Sequence, residues 1–123
     1  MICPYCHKEA ILTTGQVIYP HRKDLMYLRF WLCKPCNAWV GCHKNSNNIP
    51  LGRLANKELR QWKMKVHESF DSLWKNNGLT RQKAYQKLSM GLGIKKQDCH
   101  IGMFDVQTCK KAIETIKNFL TPP

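Results

Sequence analysis

Two short pairs, CPYC at Cys3 to Cys6 and CKPC at Cys33 to Cys36, constrain this chain more than any other feature. Two residues between cysteines let a tight turn aim both sulfurs at one point, where the turn's backbone N–H groups stabilise thiolates. Two such turns supply four soft ligands, which suit a closed tetrahedral site, so Cys3, Cys6, Cys33 and Cys36 are expected to hold one structural Zn2+ ion. Pro4 and Pro35 fit these turns. A thioredoxin-like redox role requires a strand, helix and strand around a single pair, whereas here there are two pairs and no strand precedes the first. His7, Cys42 and His43 are also competent ligands close to the pairs, and stand as alternatives for one of the four positions.

The two pairs are separated by 26 residues, more than the roughly 15 to 20 of a common zinc ribbon, so the intervening loop needs structure of its own. A hairpin meets that need. AILTTGQVIY and MYLRFWLC are rich in β-branched and aromatic residues and read as strands, PHRKD between them reads as a polar turn, and NAWVGCH reads as a third strand.

At KNSNNIPLG, residues 44 to 52, the composition shifts to loop formers and the apolar period changes from two to about 3.6. A first helix is expected from Leu54 to Trp74, with Ala55, Leu59, Trp62, Val66, Phe70 and Leu73 on its buried face and NNG as its stop. A second starts with Thr80 as N-cap and runs through Ala84, Tyr85 and Leu88 toward Met90 before GLG. A third is capped by Asp105, with Phe104 and Cys109 placed as a hydrophobic staple, and continues through Ala112, Ile113, Ile116 and Leu120 to a TPP stop. The expected fold class is therefore α+β: a zinc-ribbon-like β-hairpin module over 1–48, then a helical extension over 49–123 packed with it as one compact unit.

Cys99 and His100 raise a second chemical question. Sequence neighbours seldom aim their side chains at each other, and no second spaced pair accompanies them, so neither a nucleophilic dyad nor a second zinc site is expected. Cys99 and Cys109 are assigned to the core, His100 to packing or hydrogen bonding. With the zinc closed and no other catalytic constellation present, the chain is not expected to be an enzyme.

Charge indicates the partner. The sequence carries 20 Lys and Arg against 8 Asp and Glu, a formal net charge of +12, and such an excess attracts polyanions by neutralising phosphates and releasing counterions. DNA or RNA is the expected partner, with Arg22, Lys23 and Arg29 of the hairpin and Lys57, Arg60 and Lys63 of the first helix as phosphate contacts. Tyr19, Tyr27, Phe30, Trp31 and Trp39 are candidates for base stacking, although burial is the commoner use of ribbon aromatics. No apolar run reaches the roughly 18 residues of a membrane span, and no signal-peptide pattern opens the chain. Seven cysteines, an odd number, speak for metal binding in a reducing cytoplasm rather than a disulfide framework.

The ordered set CPYC, CKPC, WVGCHK, PLGRLANKELR, FDSLW and CHIGMFD resembles an uncharacterised zinc-finger-containing domain family of phages and bacteria, from Cys3 to about Ile116. The resemblance implies a zinc-bound N-terminal part joined to helices, and a phage or mobile-element origin. That origin supplies a second class of function, a small phage inhibitor that binds a host defence or nucleic-acid-processing protein directly, its basic surface covering an acidic groove.

Overall fold

The architecture follows from a few local decisions of the chain, seen in a computed structural model that describes residues 1–120. Contacts divide it into two compact units, one ending at Lys57 and the other beginning at Glu58.

In the first unit, β1 (Ile11–Thr14), β2 (Arg29–Cys33) and β3 (Ala38–Gly41) form an antiparallel sheet in the order β1-β2-β3. Ile11 pairs with Leu32 and Thr14 with Arg29 across one seam, and Phe30 pairs with Gly41 and Cys33 with Ala38 across the other. Phe30 and Leu32 are buried along β2 while Arg29 is exposed and Trp31 half-buried, the alternation expected of a half-covered sheet, and Cys33 at its end is buried with Cys3 and Leu54.

The first strand is shorter than its β-branched composition suggests. After Thr14 the chain winds into a helical turn, α1 (Gly15–Ile18), closed by the Tyr19 N–H on the Gly15 carbonyl at 2.8 Å. The backbone packs tightly at this turn: a Cβ on Gly15 would lie 1.8 Å from the Leu25 carbonyl oxygen. Only glycine fits there, and its N–H donates to the Leu28 carbonyl at 2.8 Å. The PHRKD segment then closes through a 3-10 turn at Lys23–Leu25, and the hairpin's return strand starts only at Arg29.

The segment after the ribbon also belongs to this unit. Pro50 bridges Cys42, and Ala55 exchanges backbone hydrogen bonds with Trp39 at 3.0 and 3.1 Å. Leu54 is fully buried with Cys3, Ala10, Cys33 and Ala38. Leu54, packed with Cys3 and Cys33, and Ala55, bridged to Trp39, therefore precede the following helix instead of forming its first turn.

That helix, α2, spans Lys57–Lys75 and buries Leu59, Val66, Phe70 and Leu73, with Trp62 half-exposed. In the second unit α3 (Arg81–Leu92) follows, its N-cap Thr80 accepting the Lys83 N–H at 3.1 Å. It ends where Gly93 adopts φ +70°, a left-handed cap that glycine enters without a Cβ clash. Leu88 and Ser89 are buried but Met90 is 74% exposed, so Met90 is not part of the inner face. The Phe70 and Tyr85 rings lie 4.4 Å apart between centroids.

In α4 (Val106–Leu120), Asp105 caps as expected, its carboxylate accepting the Thr108 N–H at 2.8 Å. Phe104, Cys109, Ala112 and Ile116 are buried, whereas Leu120 is exposed. The TPP stop lies outside the described residues. None of the described helices is long and apolar enough to cross a membrane.

Candidate metal centre

Each cysteine pair sits on a turn whose following residue takes a left-handed backbone. His7 has φ +64° and Asn37 φ +50°, positions reached at a cost of about 1–2 kcal/mol outside glycine and least for asparagine. The reversals are closed by the His7 N–H on the Cys3 carbonyl at 2.9 Å and the Asn37 N–H on the Lys34 carbonyl at 3.0 Å. Both turns thus fold back on themselves and present two sulfurs each.

The result is one group of four thiols. The Sγ atoms of Cys3, Cys6, Cys33 and Cys36 all lie within 4.8 Å of one another, and Cys6 Sγ is 3.6 Å from Cys33 Sγ. A tetrahedral zinc with Zn–S bonds of about 2.3 Å sets its sulfurs about 3.8 Å apart. The four cysteines match that span, and the donor set is all thiol, the soft chemistry that selects zinc. The Tyr5 N–H points at Cys3 Sγ from 3.4 Å, and a donor so placed favours the thiolate.

The electrostatics of the four thiols explain why a cation belongs there. The Lys8 backbone N–H holds Cys6 down to about 7 against burial, helped by the neighbouring thiols. Burial, and after it the other three cysteines, pushes Cys36 up to about 12. Cys33 is raised as well: the Cys36 backbone N–H lowers it, but burial and the adjacent Cys6 and Cys3 outweigh that bond. Four negative sulfurs in one place repel, and a divalent cation removes the conflict.

His7, Cys42 and His43 are not members of the group. His7 is exposed on its turn, while Cys42 and His43 follow β3 and line a separate cavity. Cys99 and Cys109 are buried, and burial raises the Cys99 thiol. His100 is exposed, so it is a surface side chain rather than a packing residue.

The basic candidates fall into distinct local settings. Arg22 forms a two-bonded ion pair with Asp24 at 2.7 and 2.9 Å, which raises the guanidinium and lowers the carboxyl. Lys23 is exposed beside it. Arg29, exposed on β2, donates from Nη1 to Asn48 Oδ1 at 2.9 Å. Lys57 is exposed at the start of α2, and Arg60 is half-exposed one turn on. Lys63 donates to the Gly102 carbonyl, so its ammonium is engaged in holding the second unit together.

The aromatic candidates separate just as clearly. Phe30 is buried, Tyr19 packs edge-on against Phe30 and Trp39, Trp39 donates to the Tyr19 hydroxyl, and Trp31 donates to the Asn48 carbonyl at 2.9 Å. Tyr27 alone of the five is largely open, at 85% exposure. Lys44 does not stand out in the sequence, because its loop reads only as a polar linker.

No curated protein and no solved structure matches the chain. The pattern that defines the zinc-finger-containing domain family does, over residues 1–119. With four clustered thiols inside that span, the site is a single structural zinc centre, and the chain belongs to the zinc-finger-containing domain family.

Proposed function

We propose that this is a zinc-stabilised, non-catalytic nucleic-acid-binding protein working in a reducing cytoplasm, in the phage or bacterial setting that its family resemblance implies. One observation carries the reading: 20 cations face 8 acids, so complete pairing would still leave an excess of twelve positive side chains. A surplus of that size on a small chain is a footprint for a polyanion, since each phosphate it neutralises releases condensed counterions. The zinc contributes rigidity, not chemistry, because four thiolates complete its coordination and leave no position for water or substrate.

Lys23 and Lys57 make the cleanest test, both being exposed. Lys63 is a poor choice, since reversing its charge also breaks the bond to Gly102. Binding of labelled oligonucleotides, followed by anisotropy across a salt series, should weaken steeply with salt. Lys23→Glu with Lys57→Glu should lower affinity and flatten the slope by about 0.7 to 0.9 for each phosphate that is no longer neutralised. Absence of binding to DNA and RNA at low salt, together with a stoichiometric protein complex that survives nuclease, would instead support a direct protein inhibitor.

A further inference from the structure

A cavity of about 380 Å³ opens beside the end of β3, away from the zinc ligands, with Tyr27, Arg29, His43, Lys44 and Asn48 among its lining residues. No acidic residue lines it. Its volume lies at the low end of the roughly 300–1,000 Å³ range of ligand pockets, enough for a group the size of one nucleotide.

The walls are held by backbone and side-chain bonds. The Cys42 N–H donates to the Arg29 carbonyl at 3.0 Å, and the His43 N–H to the Ile49 carbonyl at 2.8 Å. Ser46 Oγ donates to the His43 carbonyl at 2.6 Å and accepts the Ile49 N–H at 3.1 Å. Asn48, itself left-handed at φ +60°, accepts from Trp31 through its carbonyl and from Arg29 through its side chain. Arg29 is thereby oriented, while a guanidinium carries five N–H donors and Asn48 takes one. On the rim stands Tyr27, the most exposed of the large apolar side chains.

An open aromatic face beside a cationic, acid-free cavity is the combination that single-stranded nucleic acid requires. A base offers its π-face to a side chain only when it is unstacked, which a duplex interior forbids. We infer that this cavity takes one unpaired nucleotide of a single-stranded segment, its base stacked on Tyr27 and its phosphate held by Arg29 and Lys44. The inference rests on the nucleic-acid reading above and narrows it to strands with unpaired bases.

The test uses the full zinc-loaded chain with two labelled probes, a short oligothymidine and a duplex of the same length. The single strand should bind more tightly. Tyr27→Ala, at a site too exposed to disturb the fold, should lower oligothymidine affinity about tenfold or more, leaving duplex affinity and the salt slope unchanged. Tyr27→Phe should retain binding. Lys44→Gln should flatten the single-strand salt slope by about 0.7. If the duplex binds as well as the single strand and Tyr27→Ala alters neither, the cavity assignment is overturned while the nucleic-acid reading stands. If neither probe binds at low salt, both fall.

Discussion

The Cys6 and Cys33 sulfurs, 27 positions apart in the chain, stand 3.6 Å from each other. That approach joins the N-terminal turn to the end of β2, and the first unit's buried cluster of Cys3, Ala10, Cys33, Ala38 and Leu54 is built around the same join. So small a core gains little from apolar burial alone, and metal binding supplies folding free energy outright.

Zinc affinity should fall as pH falls, because protons compete for the sulfurs. Cys36, pushed up to about 12, keeps its proton at neutral pH and must release it to solvent when the metal binds. Cys6, at about 7, is mostly ionised above that pH and protonated below it. The slope of log affinity against pH should therefore rise by about one as pH drops through about 7, each displaced proton adding one. Competition with a chelator across pH 6 to 8 measures it, and a constant slope would mean that Cys6 does not ionise separately.

Gly15→Ala should destabilise the first unit by about 1–3 kcal/mol, the usual cost of forcing atoms into a filled space. The new Cβ would fall 1.8 Å from the Leu25 carbonyl oxygen, so Leu25 or the turn must shift. Chemical denaturation followed by tryptophan fluorescence checks this. Unchanged stability would show that the turn makes room for the new Cβ at no cost.

How much of this is legible in the sequence differs by residue. The zinc ligands are readable because two turns of fixed spacing carry their geometry with them, and Thr80 and Asp105 because a cap is a local bond. The end of β1 is not, since ILTTGQVI has the composition of a strand and the Leu25 carbonyl that Gly15 approaches is ten positions away in sequence. Leu54 and Ala55 deceive for a related reason. Ala55 continues the apolar spacing of α2 backwards, yet its backbone hydrogen bonds go to Trp39, and tertiary pairing overrides the local period. Tyr27 is an aromatic of the hairpin like buried Phe30 and half-buried Trp31 and Trp39, so its openness is visible only once the hairpin is folded.

Loss of the Asp105 cap should weaken the second unit by about 1 kcal/mol in Asp105→Ala, because the Thr108 N–H loses its acceptor. Zinc content should stay at one. The same should hold for Cys99→Ser and Cys109→Ser, which place a hydroxyl where a buried thiol now sits and cost about 1–3 kcal/mol when that group finds no partner. Calorimetry with metal analysis on the same samples separates the two effects, and two zincs in the native protein falling to one in either cysteine variant would reveal a second site.

The most direct test of the zinc-centred account is the metal content of freshly purified, reduced protein and of its Cys36→Ser variant. One zinc per chain is expected in the native protein, together with a loss of zinc and of ordered sheet signal in Cys36→Ser and on chelation. Protein that holds no zinc yet keeps its sheet folded, or a Cys36→Ser variant that retains a full equivalent of zinc with unchanged stability, would contradict it.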